Sequence, residues 1–239
     1  MVDQEILAYY ECNDERGRLA AGRQRIEFLR VWELLERFPP SPPAAVLDVG
    51  GAAGRYSVPL AAAGYEVRLV DPVPVLVAQA EQAAREAGVP LAAEAGDARS
   101  LPAADDSADA VLLFGPLYHL TDSADRVTAL PEARRVTRPG GIVMAIGLPR
   151  YYPLFENLVA GGSYSAEDNA RFLAEGQYRD PMGDDRRSPG MIHGFTTSYF
   201  HRPEDLAAEV AAAGLSLDRI RGGHRAAPAP RSGAVAARR

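Results

Sequence analysis

The sequence predicts a doubly wound α/β fold, and three observations carry that prediction. The stretch Ala44–Pro59, AAVLDVGGAAGRYSVP, runs from a short apolar segment through glycines into a segment that can be helical. That order is the opening strand, tight turn and helix of a parallel sheet unit. Further short apolar runs recur at 66–70, 91–95, 110–114 and 142–148, separated by longer helical patterns except between the third and fourth. Alternating strands and helices imply crossover connections and therefore a parallel sheet. Finally, acids stand at three successive strand ends, Asp48, Asp71 and Asp97. A ligand in such a fold sits past the carboxyl ends of the strands.

Residues 1–43 are expected to form two or three helices packed on the sheet. Ile6, Leu7, Tyr10, Leu19, Ile26, Leu29, Trp32 and Leu35 follow helical spacing, with Gly17 and Gly22 as breaks. Tyr9 and Tyr10 could close over a ligand, although plain aromatic packing is the favoured reading. FPPSPP at 38–43 ends the helix and delivers the chain to the first strand. The strand at 66–70 closes on Asp71, placed to accept hydrogen bonds from two ribose hydroxyls or to cap the next helix ahead of Pro72. That helix, 74–87, stops at Gly88. The strand 91–95 is followed by Gly96, Asp97 and Ala98.

Asp109 leads the fourth strand, which exits through Gly115-Pro-Leu-Tyr118-His119-Leu. A helix over 121–138 takes Thr121 or Asp122 as its cap, and Pro131 inside it should kink or split it. Pro139-Gly140-Gly141 turns into the fifth strand, 142–148. Residues 149–200 trade Ala and Val for Tyr, Phe, Gly, Asp and Arg, which reads as an inserted cap over the site. Its DDRR, 184–187, reads as a solvated charged loop. The last crossover helix (203–213) and sixth strand (215–220) bring residues 201–222 back to the core.

The turn itself discriminates between cofactors. A dinucleotide fingerprint needs glycine at its first, third and sixth positions. Counted from Gly50, those positions hold Gly50, Ala52 and Arg55. With no Tyr-x-x-x-Lys pair either, a nicotinamide-dependent oxidoreductase is disfavoured. What stands here is Asp48-x-Gly50-x-Ala52-x-Gly54, with Gly51 inside it. This resembles the first motif of class I S-adenosylmethionine (SAM)-dependent methyltransferases, which carries a third glycine where Ala52 stands. The fourth-strand segment and the ArgProGlyGly at 138–141 are similar to that family too. The resemblance covers roughly 44–148, and more weakly 196–220.

The resemblance implies a Rossmann-like core that binds SAM and transfers its methyl group to a small molecule. It implies cofactor contacts from Asp48, Gly50, Gly51, Gly54, Asp71, Asp97, Ala98 and Gly115. Asp97 would accept the adenine amino group and the Ala98 N–H would meet a ring nitrogen. In that fold the fourth-strand exit faces the methyl group, so Tyr118 and His119 become candidates for chemistry. His119 is the first choice of base, with His201 and Tyr118 next; packing and helix capping are the competing roles. A non-catalytic SAM-binding regulator or scaffold is the alternative function.

Composition narrows the rest. Net charge is −6 with no basic run before the C-terminal tail, which argues against nucleic acid. One cysteine, Cys12, and scattered His and acids give no metal-ligand spacing, so no metal is expected. No apolar run approaches the roughly 20 residues that span a bilayer, and no signal pattern opens the chain, so the expected location is cytoplasmic. A homo-oligomer is left open. The tail 223–239 is expected to be disordered. The 19 residues from Arg221 hold two Pro, three Gly, five Arg and a single Val. The final antiparallel strand of the family, which inserts between the fifth and sixth, is therefore expected to be missing, leaving 142–148 with an open edge.

Overall fold

A computed structural model describes residues 4–12, 24–160, 165–178, 196–222 and 233–239. Helices α1 (Gln4–Cys12) and α2 (Gln24–Arg37) precede strand β1 (Ala45–Val49). Then come α3 (Ser57–Ala62), β2 (Glu66–Asp71), α4 (Pro74–Ala87), β3 (Ala92–Ala95) and β4 (Ala108–Leu113). A one-turn helix α5 (Pro116–His119), α6 (Ser123–Val136) and the long β5 (Thr137–Pro149) complete the predicted core. Strands and helices alternate except between β3 and β4, where no helix intervenes, and β3-β2-β1-β4-β5 lie side by side in parallel.

The apolar strand runs have a direct cause. Successive side chains point to opposite faces, and both faces are covered. Leu47, Val111 and Leu113 pack with Leu130 and Val136 of α6. Val46, Ala110 and Leu112 pack on the other side with Leu34 and Leu35 of α2 and Leu60 of α3. Alternation between polar and apolar is lost because neither face meets water.

The segment expected to form a cap, 149–200, together with His201 holds α7 (Tyr152–Ala160), α8 (Ala166–Glu175), β6 (Gln177–Tyr178) and β7 (Ser198–His201). β6 pairs antiparallel with β7, and β7 lies parallel to the end of β5 at Leu148 and Pro149. Phe172 of α8 is buried against Tyr178 and Phe200, giving this segment a small aromatic core. Buried Arg150 ties it down by donating to the carbonyls of Phe200 (2.7 Å), Ala174 (3.2 Å) and Leu173 (3.3 Å). DDRR at 184–187 and His193 lie outside the described residues.

Of the two outcomes expected at Pro131, a kink or a split, the split is absent: α6 runs unbroken through it, capped by Asp122, whose carboxylate accepts from the Ala124 N–H. Proline removes the bond that would reach the carbonyl four residues back, on Val127, and Val127 is exposed, so water can serve it.

One expectation is corrected, at the chain end. The final antiparallel strand is present. After α9 (Pro203–Ala212) and β8 (Ser216–Gly222), strand β9 (Gly233–Arg238) inserts between β5 and β8. It pairs with β5 from Ile142↔Arg238 to Gly147↔Gly233, and with β8 along its other edge. The edge of 142–147 is covered, and the disordered-tail expectation fails over 233–238; residues 223–232 lie outside the described residues. The physical reason is context. A strand with a partner on each side draws its stability from two ladders, so β-branched side chains are dispensable. Ala236 and Ala237 are 5% and 1% exposed, one on each face of the sheet.

Candidate functional site

A cavity of about 350 Å³ opens at the carboxyl ends of β1, β2, β3 and β4. Its floor is the turn after β1. Gly50 has φ +71°, the left-handed region glycine tolerates, and a Cβ there would come 2.8 Å from the Pro116 ring. The glycine thus lets α5 lean onto the turn. A Cβ at Gly51 would likewise meet the Leu69 side chain and the Asp48 carboxylate, and one at Gly54 the Cβ of Ala80. Ala52, standing where the resembled motif has glycine, also sits at positive φ (48°). Left-handed backbone at a residue with a Cβ costs on the order of 1 kcal/mol.

Of the eight residues expected to contact cofactor, seven line this cavity: Asp48, Gly50, Gly51, Asp71, Asp97, Ala98 and Gly115. Gly54 does not; it packs against Ala80 of α4. Asp71 is buried, and its two carboxylate oxygens accept from the N–H groups of Ala52 and Val73, each at 2.9 Å. It braces the turn after β1, and Val73, rather than Asp71, is the N-cap of α4.

Asp48 is fully buried. Its Oδ2 accepts from the Ser57 hydroxyl at 2.6 Å, while its Oδ1 has no hydrogen-bond partner among the described residues. Burial pushes its carboxyl up to about 6; the Ser57 hydrogen bond opposes that and the nearby charge of Asp71 adds to it. The Tyr56 hydroxyl, on the same wall, is also buried without a hydrogen-bond partner among the described residues.

Asp97 is held by Arg99, which donates through Nε (3.0 Å) and its terminal nitrogen (2.5 Å) and also reaches Asp125 (2.8 Å). The Arg99 contact holds the Asp97 carboxyl below its usual range. Arg99 and Asp125 line the same end of the cavity, an arrangement that sequence reading missed. The ArgSer pair after Asp97 carries no local signal for it, because Asp125 comes from another helix.

Tyr118 and His119 line the same cavity. Their segment is fixed by Arg126, itself buried, which donates to the carbonyls of Leu120 (2.7 Å) and Thr121 (3.1 Å). His119 Nε2 lies 2.8 Å from the Tyr10 hydroxyl of α1, and its Nδ1 lies 3.3 Å from the Thr197 carbonyl. Tyr10 and Ile6 bring α1 onto the cavity.

His201, the remaining catalytic candidate, is not on the cavity wall. It is buried beside Gly147, with Glu209 3.4 Å away and the Tyr199 ring edge-on at 4.7 Å. Burial pushes its imidazole below the usual value, outweighing the pull of Glu209. Arg126 completes this cluster, 2.9 Å from Glu209 and stacked over Tyr199 at 3.7 Å. A neutral histidine with that environment supports packing between α6, β7 and α9. No group of His, Cys, Asp and Glu among the described residues is arranged to hold a metal.

Residues 46–141 match the family model described as "Methyltransferase domain". Among curated proteins, the chain is similar to a ubiquinone biosynthesis O-methyltransferase of Azorhizobium caulinodans, 29% identical over 177 residues. That match spans 74% of this chain and 60% of the relative, less than two thirds of its length. Among solved structures, a SAM-dependent methyltransferase from Methanosarcina mazei superposes with TM-score 0.68 at 20% identity, covering 86% of this chain and 96% of that one. Magnesium protoporphyrin IX methyltransferase from Synechocystis, solved with SAH bound, gives TM-score 0.61 at 18% identity over 90% of this chain and 82% of that one. Residues 46–141 are thus similar to a methyltransferase domain, and the solved structures share the fold of most of this chain.

Proposed function

We propose that this protein is a SAM-dependent methyltransferase acting on a small molecule, with the cavity above β1–β4 holding the cofactor. One observation carries the reading: Asp48, Asp71 and Asp97 converge from three strand ends on one cavity that Tyr118 and His119 also line. The residues fit the cofactor. Asp48 Oδ1, buried and unpartnered among the described residues, suits an ammonium group. Asp71 suits ribose hydroxyls, and Asp97 with the Ala98 N–H suits an adenine edge. When bound, SAM supplies an already activated methyl group. The protein's task is then alignment, which can contribute about 7–11 kcal/mol.

His119 is the group on the wall able to take a proton from an acceptor, with Tyr118 beside it; a base is needed only where the nucleophile is protonated. The segment 149–200 is the cover that shapes the acceptor site, and the small-molecule activity printed for the similar proteins supports that substrate class. Among the described residues no helix is long and apolar enough to cross a membrane. With one cysteine in the chain, the proposed compartment is the cytoplasm.

The test is calorimetric titration with SAM and then SAH. It is followed by incubation of methyl-labelled SAM with a panel of phenols, catechols, amines and thiols. Binding of both ligands and label transfer to one acceptor class are expected. No binding refutes the proposal. Binding with no transfer to any acceptor favours a regulatory SAM-binding protein instead.

A further inference from the structure

The contact between α1 and the fourth-strand exit joins residues 109 positions apart and places a second hydroxyl on the reacting side of the cavity. His119 Nδ1 faces the Thr197 carbonyl at 3.3 Å. A carbonyl only accepts, so Nδ1 carries the proton, and in the neutral ring Nε2 is then an acceptor. The Tyr10 hydroxyl, 2.8 Å from Nε2, must donate to it. The lone pair that would make His119 a base is therefore engaged by Tyr10. Both rings line the cavity, held edge to face with centroids 5.4 Å apart.

We infer that Tyr10 is a catalytic residue of this site, taking the acceptor's proton at its oxygen while passing its own to His119. The inference rests on the methyltransferase reading above. The step balances. The acceptor's X–H bond breaks and its electrons form the X–CH3 bond; the C–S pair stays on sulfur as a neutral thioether. The acceptor proton joins the Tyr10 oxygen, the Tyr10 proton joins His119 Nε2, and the positive charge lost from sulfur appears on the imidazole. The Thr197 carbonyl, already facing Nδ1–H, favours that charge. Relay through a phenol suits acceptors that carry a removable proton, hydroxyls above all, and gives a neutral amine no advantage. α1 thereby becomes part of the active site, and the site is complete only with α1 docked.

Two measurements test this. In histidine-labelled protein saturated with SAH, nitrogen-detected spectra should show His119 as the neutral Nδ1–H form, its signal identified by its loss in His119→Asn. Tyr10→Phe should shift that signal and leave His201 in place, with SAH affinity within about threefold. An unmoved His119 signal would overturn the inference without reference to activity. In turnover, with the panel acceptor that wild type methylates fastest, Tyr10→Phe and His119→Asn should each lower kcat about 100-fold, the scale of general acid–base catalysis, with KM within threefold. The double variant should lose no more than either single one, because the pair acts as a unit. A Tyr10→Phe enzyme with undiminished kcat overturns the relay alone. A wild type that methylates nothing overturns the proposed function and the relay with it.

Discussion

Asp48 offers the most direct test of how this site trades stability for binding. Its carboxyl has no exposed surface, one oxygen bonded to Ser57 and the other unpartnered among the described residues. Burial, chiefly, raises it from 3.8 to about 6. At about 1.36 kcal/mol per pH unit, keeping Asp48 ionised in the fold costs on the order of 3 kcal/mol at neutral pH. The sign follows from linkage. The folded state holds this proton more tightly than the unfolded state. The contribution is therefore complete below pH 3.8, declines as pH rises, and is gone above about 6. Roughly 1 kcal/mol of the decline falls between pH 5 and pH 7.5. Asp48→Asn preserves shape and the acceptor for Ser57 but cannot ionise. Urea unfolding of both proteins across that range should show the variant gaining on wild type as pH rises, by roughly 1 kcal/mol. At pH 7 the variant should be the more stable by about 1–2 kcal/mol, after a loss of about 1 kcal/mol for an unpaired amide N–H. Its affinity for SAM should fall by about 10- to 100-fold, because the buried anion that would meet the ammonium group is gone. Parallel stability curves would refute the raised Asp48, and unchanged SAM affinity would remove Asp48 from the cofactor site.

Asp71→Ala should weaken SAM binding by about 1–3 kcal/mol and also loosen the turn, since the N–H groups of Ala52 and Val73 lose their acceptor. Calorimetry that finds wild-type affinity would exclude Asp71 from the pocket. Truncation after Gly222 removes β9 and uncovers β5 and β8 together. With two ladders lost at about 0.5–1.5 kcal/mol per net hydrogen bond, the loss approaches a typical total stability of about 5–15 kcal/mol. The truncated chain should be largely unfolded or aggregated by circular dichroism and light scattering; a wild-type urea midpoint would contradict the role given to β9.

What sequence reading could see and what it could not divide along a physical line. The five parallel strands were legible because each is a local event: a short apolar run, marked in most cases by a glycine or acid at its end and a helix after it. Asp48, Asp71 and Asp97 were legible for the same reason, since the end of a strand is a position that sequence defines. Strand β9 was not. Gly-Ala-Val-Ala-Ala-Arg says nothing about itself, and its order comes from β5 and β8, about 90 and 15 residues away along the chain. Ala236 and Ala237 look like linker composition and serve as core because helices cover both faces of the sheet. The histidines make the same point for chemistry. His119 was ranked ahead of His201 on the resemblance at the fourth-strand exit, not on any contact that sequence could show. Placement separates them: His119 stands on the cavity wall against Tyr10, whereas His201 is enclosed with Glu209 and Arg126. Tyr10 itself was read as packing, which is true of its edge-on contacts with Tyr9 and His119. Its hydroxyl gains a chemical meaning only when α1 folds back onto the fourth-strand exit, and no spacing within 1–43 encodes that return.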